Sequence, residues 1–449
     1  MYTKTFYIVR PVMERLLFRG GLQKFLLLLL PLLFCSLASA ESQSFERAAP
    51  GRVLSFPLDH GMHPSFQTEW WYFTGQLFDE SGKPFQDPAS YGFQLTFFRR
   101  AAEASSTQGA AAQASAPQAA RKLTGARAPV PGAAAQLYLA HAALSVLNDS
   151  PLKGSVPDGR FTYSKRLSSG PLGLAGASPA GLRVWNREWK AEMMGDAIVL
   201  EFSVPAETAE GKAGSGEVEV RLVARITEDP VLQGDKGYSP KGSCQGCASF
   251  YYSYPRLELT GHIKRGESYQ RVHGIGWMDH EFMSNALSPN QVGWDWFSFN
   301  TKDGSSVMLF QLRDKQGQPD FASGTIVNRS PGKERQVHVL GKDDFTIQVL
   351  DTWKSPKTQG QYPSRWRIRV PSMGFDTEVV VRLSNQELVF DGPISGGTVS
   401  DGTVSDGTVS EGQGKRGVAY WEGAVSNLDN SVLGYVEMTG YAGSMGDLL

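Results

Sequence analysis

Apolar and polar residues alternate with a period of two along much of the chain. Tyr91, Phe93, Leu95 and Phe97 are separated by Gly92, Gln94 and Thr96. Val218, Val220, Leu222, Ala224 and Ile226 are separated by Glu219, Arg221, Val223 and Arg225, and Trp366, Ile368 and Val370 by Arg365, Arg367 and Arg369. A period of two sends successive side chains to opposite faces, so each segment predicts a half-buried strand. No long stretch carries a clean helical period, and glycine and other turn residues recur. Many short antiparallel strands predict an all-β molecule of barrels or sandwiches. The 449 residues exceed what one hydrophobic core usually serves, so two strand-rich halves are expected. The boundary is expected near residues 255–274 and is drawn between Arg265 and Gly266.

Three segments fall outside this pattern. Residues 101–135 are rich in Ala, Gln, Ser and Pro without an apolar period, and residues 395–414 repeat Asp-Gly-Thr-Val-Ser at Asp401 and Asp406. Both read as mobile loop insertions. The N-terminus carries Lys4, Arg10, Arg15, Arg19 and Lys24, then an apolar run over residues 25–37, then Ala38-Ser39-Ala40. This is the order of a signal peptide, with residues 1–40 removed and Glu41 first in the mature chain. The run is short for a membrane span, so no stable transmembrane segment is expected after cleavage. Cys35 follows the bulky Phe34, which disfavours a lipoprotein site. The expected location is periplasmic or secreted. The formal net charge of −1, without a basic stripe beyond the N-terminus, argues against nucleic acid as a partner. In an oxidising compartment, Cys244 and Cys247 are expected to form a disulfide across a tight loop. A redox motif would stand at a helix N-terminus, and one C-x-x-C pair is too few for zinc.

Candidate chemistry gathers where carboxylates interleave with tryptophan: 68–75 (TEWWYFTG), 276–282 (GWMDHEF) and 293–297 (GWDWF). On strands, Trp294 and Trp296 share a face opposite Asp295, and Asp279 and Glu281 share a face opposite His280. One reading is a pocket with aromatic walls and a few acids doing polar work. In it, an aspartate desolvated among indoles would hold its proton near neutral pH. The other is structural: indoles plug the barrels, and the acids bond to Trp N–H, Arg or backbone groups. Asp59-His60-Gly61-Met62-His63 offers two imidazoles without an evident third ligand, so no metal and no cofactor is expected. His280-Glu281 is not a zinc-protease motif, since Ser284 stands where the second histidine is needed. A G-x-S-x-G elbow and a phosphate-cradling glycine loop are both lacking.

At these segments the chain becomes recognisable. Residues 68–72 (TEWWY), 248–253 (ASFYYS), 277–282 (WMDHEF), 293–296 (GWDW), 420–424 (YWEGA) and 434–441 (GYVEMTGY) resemble the hallmarks of the AttH/carotenoid 1,2-hydratase-like family. The resemblance runs from about Phe56 to Tyr441. It implies two lipocalin-like antiparallel β-barrels packed together, over 41–265 and 266–449, with a ligand site in or between them. Some relatives hydrate the terminal double bond of acyclic carotenoids, and fungal relatives are similar to Diels–Alder cyclases. Exported bacterial members are labelled predicted secreted hydrolases, and some are tied to ABC exporters in lipid handling. Fold transfers well from such a resemblance and activity does not. The hydratases need an acid that protonates an olefin; if it lies on the strand at 307–312 (VMLFQL), this chain has lost it, and Asp279 and Asp295 would be the substitutes, with His280 orienting a carboxylate or water. The expected function is therefore an exported binder of a hydrophobic lipid, isoprenoid or polyene, serving an ABC-type exporter. The alternative is a hydratase or lipid hydrolase using acid catalysis. Asp279, His280 and Asp295 are the expected catalytic residues. Glu69, Trp70, Trp71, Trp277, Glu281, Trp294 and Trp296 are expected to line or support the pocket.

Overall fold

In the computed structural model the residues described are 45–101, 136–147, 160–207, 213–284, 287–329, 334–390 and 418–444. The expected signal peptide and its cleavage site, residues 102–135 and the insertion at 395–414 lie outside them. The strands of the first half are β1 (Thr68–Phe78), β2 (Tyr91–Ala101), β3 (Gln136–Val146), β4 (Arg160–Ser169), β5 (Ala175–Ala177), β6 (Arg183–Asn186), β7 (Trp189–Met194), β8 (Ala197–Glu207), β9 (Ala213–Ile226), β10 (Val231–Leu232), β11 (Tyr238–Pro240), β12 (Ala248–Arg265) and β13 (Ser268–Met283). Those of the second are β14 (Gln291–Thr301), β15 (Ser306–Asp314), β16 (Pro319–Asn328), β17 (Gln336–Leu340), β18 (Thr346–Lys354), β19 (Gln361–Val370), β20 (Phe375–Val381), β21 (Glu387–Phe390), β22 (Val418–Ser426) and β23 (Val432–Thr439).

These strands make two antiparallel sheets. The 13-stranded sheet runs β4-β3-β2-β1-β13-β12-β9-β8-β7-β6-β5, with β10 and β11 also paired to β12, and the 10-stranded sheet runs β17-β16-β15-β14-β23-β22-β20-β19-β18, with β21 also paired to β22. The first curls into a nearly closed barrel as β4 returns against β8, and the second forms a half-barrel. The molecule is thus all-β, as the alternation predicts. Among the described residues no helix is long and apolar enough to cross a membrane.

Strand β1 shows why the sheets stack. It lies between β2 and β13 and is buried on both faces, so it reads as a near-continuous apolar run. Its odd positions Trp71, Phe73 and Leu77 enter the first barrel's core with Phe93, Leu95 and Phe97. Its even positions Trp70 and Tyr72 join Trp277, Trp296 and Phe310 in a separate core between the sheets. A third core fills the half-barrel around Phe297, Trp366 and Trp421. Each large side chain so buried contributes about 1.5–3 kcal/mol. The inter-sheet layer is therefore part of the fold's stability as well as its lining.

The expected boundary between Arg265 and Gly266 needs correction. Arg265 pairs with Ser268 across a hairpin whose turn begins at Gly266, at φ 58°, so β12 and β13 are neighbours in one sheet. A glycine turn reads the same in sequence whether it joins two strands or two sheets. The chain passes from the first sheet to the second between Met283 and Gln291.

Cys244 and Cys247 are disulfide-bonded, with Cα atoms 5.3 Å apart, in the loop joining β11 to β12. So short a loop removes little freedom from the unfolded chain. The Cys244→Ser/Cys247→Ser protein is expected to lose no more than about 2 kcal/mol in urea unfolding, with ligand binding unchanged. A larger loss would mean that the bond holds the start of β12 in register.

Candidate functional site

The two sheets meet face to face through β1, β2, β12 and β13 on one side and β14, β15, β22 and β23 on the other. Strand register sets their facing side chains in rows. In the middle row, His141, Thr96, Tyr72, Asp279 and Ser253 are successive cross-strand partners of the first sheet. Phe310, Trp296, Glu437 and Glu422 are successive partners of the second. The next row outward carries Phe98, Trp70, Glu281 and Tyr251 on the first sheet and Trp294 and Leu312 on the second. A cavity of about 80 Å³ lies between these rows. Trp70, Phe98, Leu287 and Trp294 are only half-buried and mark its mouth.

Asp279 is the most elaborately held acid here. It accepts hydrogen bonds from Trp277 Nε1 at 2.7 Å, Tyr251 Oη at 2.8 Å and Ser253 Oγ at 2.5 Å. Tyr251 Oη in turn accepts from Trp296 Nε1 at 3.1 Å. Burial pushes the Asp279 carboxyl up to about 7. The three donors oppose that rise, and the neighbouring Glu281 charge adds to it. Glu281 pairs with Lys241 Nζ at 2.7 Å and accepts from Ser249. Lys241 also lies 4.2 Å from the Phe310 ring centroid. On the other side of the cleft, Glu422 and Glu437 are cross-strand neighbours. Burial raises both carboxyls above the usual range, and the Glu422 charge raises Glu437 further. His141 Nε2 lies 3.4 Å from Glu422, and burial holds that imidazole down at about 3.

The structure divides the expected catalytic trio among three places. Asp279 faces the cleft. His280, one residue on, faces the interior of the first barrel with Glu69 and Trp71. Asp295 faces the interior of the half-barrel, where Gln311 Nε2 donates to it at 2.8 Å and Arg313 Nε at 3.2 Å. The three therefore do not form one site. Period two turns His280 away from Asp279, and Asp295 away from the cleft-facing Trp294 and Trp296, because adjacent residues on a strand point to opposite faces. Of the expected lining residues, Trp70, Glu281, Trp294 and Trp296 border the cavity, and Trp277 supports it through Asp279. Glu69 and Trp71 do not.

Glu69 and His280 belong to a buried polar chain inside the first barrel. Glu69 accepts from His63 Nδ1 at 2.7 Å, His280 Nε2 at 2.9 Å and Arg99 Nε at 2.9 Å. Burial alone would raise its carboxyl, but the bonds from His280 and His63 and the charges of His280 and Arg99 hold it well below the usual range. Beyond His280 the chain continues to Tyr252 Oη at 3.0 Å, to His60 Nδ1 at 2.7 Å and to Tyr254 Oη at 3.2 Å. His63 Nε2 meets Asp59 at 2.8 Å, and Trp71 stacks on His280 with ring centroids 4.8 Å apart. His63, Glu69 and His280 stand close enough to converge on one ion. As arranged, their ring nitrogens and carboxylate oxygens are engaged with one another and with Asp59, Tyr252 and Arg99. The network is satisfied internally, as buried polar groups require.

Sequence reasoning missed Tyr72, Thr96, Lys241, Tyr251, Glu422 and Glu437. Strand parity was the available signal: Tyr420, Glu422 and Ala424 alternate with Trp421, Gly423 and Val425, so one acid lies on a buried strand face.

Two curved antiparallel sheets enclosing an aromatic, acid-bearing cleft define a lipocalin-like protein of the two-barrel kind. The chain belongs to the AttH-like family, whose model matches residues 47–441. A crystal structure from Nitrosomonas europaea assigned to AttH aligns with a TM-score of 0.61 at 28% identity, covering 88% of this chain and 100% of that one. Kievitone hydratase from Nectria haematococca aligns with a TM-score of 0.45 at 12% identity, covering 89% and 97%. Among curated proteins the comparison finds no match.

Proposed function

We propose that this chain is an exported binder of a hydrophobic small molecule, a lipid, isoprenoid or polyene, whose end enters the cleft between the sheets. The cavity walled by Trp70, Trp294, Trp296, Phe98, Phe310 and Leu312 carries this reading. Its size sets a limit. A water needs about 10–15 Å³ on this measure, so the space takes one end of a lipid, and a longer chain leaves through the half-buried mouth. In this reading the mature protein begins at Glu41 outside the cytoplasmic membrane and serves an ABC-type exporter. N-terminal sequencing of the protein from its own host checks the first point. Diphenylhexatriene, an uncharged fluorescent polyene, is expected to bind and to quench the indoles. Trp296→Ala is expected to weaken that binding about tenfold or more, since one buried indole face is lost. A probe that fails to bind, or that binds the variant equally well, would remove the proposal.

One observation favours a second reading. Asp279 carries a raised carboxyl toward the same cavity, so it could protonate an alkene whose cation the neighbouring indole faces would stabilise. Water would then complete a hydration. Turnover of an acyclic isoprenoid alkene, lost in Asp279→Asn with binding retained, is the result this reading requires.

A further inference from the structure

One corner of the cleft has no task in the reading above. Thr96 and Tyr72 are cross-strand partners on the first sheet, 1% and 5% exposed, and both border the cavity. Thr96 Oγ1 has no hydrogen-bond partner among the described residues. Tyr72 Oη lies near Glu422 without reaching hydrogen-bond geometry to any described residue. Across the gap stands Glu437, half-buried and open to the same space. A polar atom sealed from bulk water without a partner is costly, so buried groups of this kind are nearly always satisfied by something. Here the side chains point into a cavity with apolar walls.

We propose that the ligand of this cleft carries an uncharged hydroxyl group, held at the corner made by Tyr72, Thr96 and Glu437. The proposal rests on the binding reading and narrows its ligand to an alcohol. A carboxylate would meet Asp279, Glu281 and Glu437 around one small space, and Lys241, the cation on the wall, is paired with Glu281. An ammonium group would need an ionised acid as its counter-charge, whereas burial favours the protonated forms of Glu437 and its neighbour Glu422. A hydroxyl both donates and accepts, which matches two hydroxyls and a carboxylic acid.

The test is displacement of diphenylhexatriene at pH 7 by four probes that share one chain: 1-decanol, 1-methoxydecane, decylamine and decanoate. Decanol is expected to bind about tenfold more tightly than the methyl ether, which cannot donate, and more tightly than either charged probe. Thr96→Val should erase the alcohol's advantage over the ether, while Thr96→Ser should keep it. Equal affinities for alcohol and ether, a decylamine or decanoate that binds best, or an advantage that survives in Thr96→Val would each overturn the proposal with the apolar cleft intact. Failure of diphenylhexatriene itself to bind would instead remove the binding reading, and this inference with it. Should Thr96→Val not fold, the order of the four probes in the wild-type protein decides.

Discussion

Replacing Glu69 by alanine is expected to cost on the order of 3–5 kcal/mol of folding stability, the largest single-residue effect this structure suggests. Glu69 and Arg99 are each 0% exposed, and Glu69 is the carboxylate on which Arg99, His63 and His280 converge. Truncation leaves a guanidinium sealed in the barrel, with Gln136 and the carbonyls of His63 and Phe66 as its remaining acceptors. Two imidazoles lose their acceptor as well. Glu69→Gln preserves the volume but not the charge, and should fall between the two. The acid limb has a definite sign. The Glu69 carboxyl is held below its ordinary value of 4.5, so its contribution is whole above that pH and declines as the pH falls further. Urea unfolding at pH 7 and at pH 3.5 measures both effects. A variant within about 1 kcal/mol of wild type at pH 7 would mean that the network is ornamental.

Asp279→Asn is expected to act in the opposite pH direction. The Asp279 carboxyl rises from an ordinary 3.8 to about 7 in the folded protein. Between those values the folded state keeps a proton that the unfolded chain has released, so this group makes stability fall as the pH rises. The loss is complete above about pH 7. Three units at about 1.4 kcal/mol each put it at up to about 4 kcal/mol. Asparagine cannot titrate. Relative to wild type, the variant should therefore gain steadily from pH 4 to pH 8, whatever its offset from meeting three donors with a single acceptor oxygen. Glu422 and Glu437 slope the same way in both proteins, and the Asp279 charge adds to the rise at Glu437, so the difference reports residue 279 together with its effect on that neighbour. Unfolding curves that stay parallel across this range would show that Asp279 titrates as an ordinary carboxylate.

Local pattern was enough to find strands and the all-β class, because period two is a local property; the two-part plan came from chain length and from the family resemblance. It also placed Asp279 and Glu281 opposite His280, and Trp294 and Trp296 opposite Asp295. It could not say which face looks into a barrel and which looks across to the other sheet, since both are buried and both are lined with aromatics. That is why Asp279, His280 and Asp295 read as one group in the sequence, although parity sets His280 against Asp279 and Asp295 against its flanking indoles. Partner identity was illegible for a different reason. Glu69 meets His63 a few residues away, Arg99 one strand over and His280 from the far side of the chain, and only the sheet order brings them together. Glu422 and Glu437 stand in motifs that were visible as a resemblance. Their pairing needed the register of β22 against β23.

The central strands carry two independent messages interleaved residue by residue. On β1 the odd positions hold the barrel together and the even positions shape the cleft; β13 repeats the arrangement with Met278, His280 and Phe282 on one side and Asp279 and Glu281 on the other. Change at residues 70, 72, 96, 98, 294 or 296 can thus revise what the protein accepts while the barrel core is left untouched. A lineage, or an engineer with a library confined to those positions, can explore new ligands with the barrel core intact, provided that the packing between the sheets is kept. The same scaffold could in this way come to serve quite different small molecules.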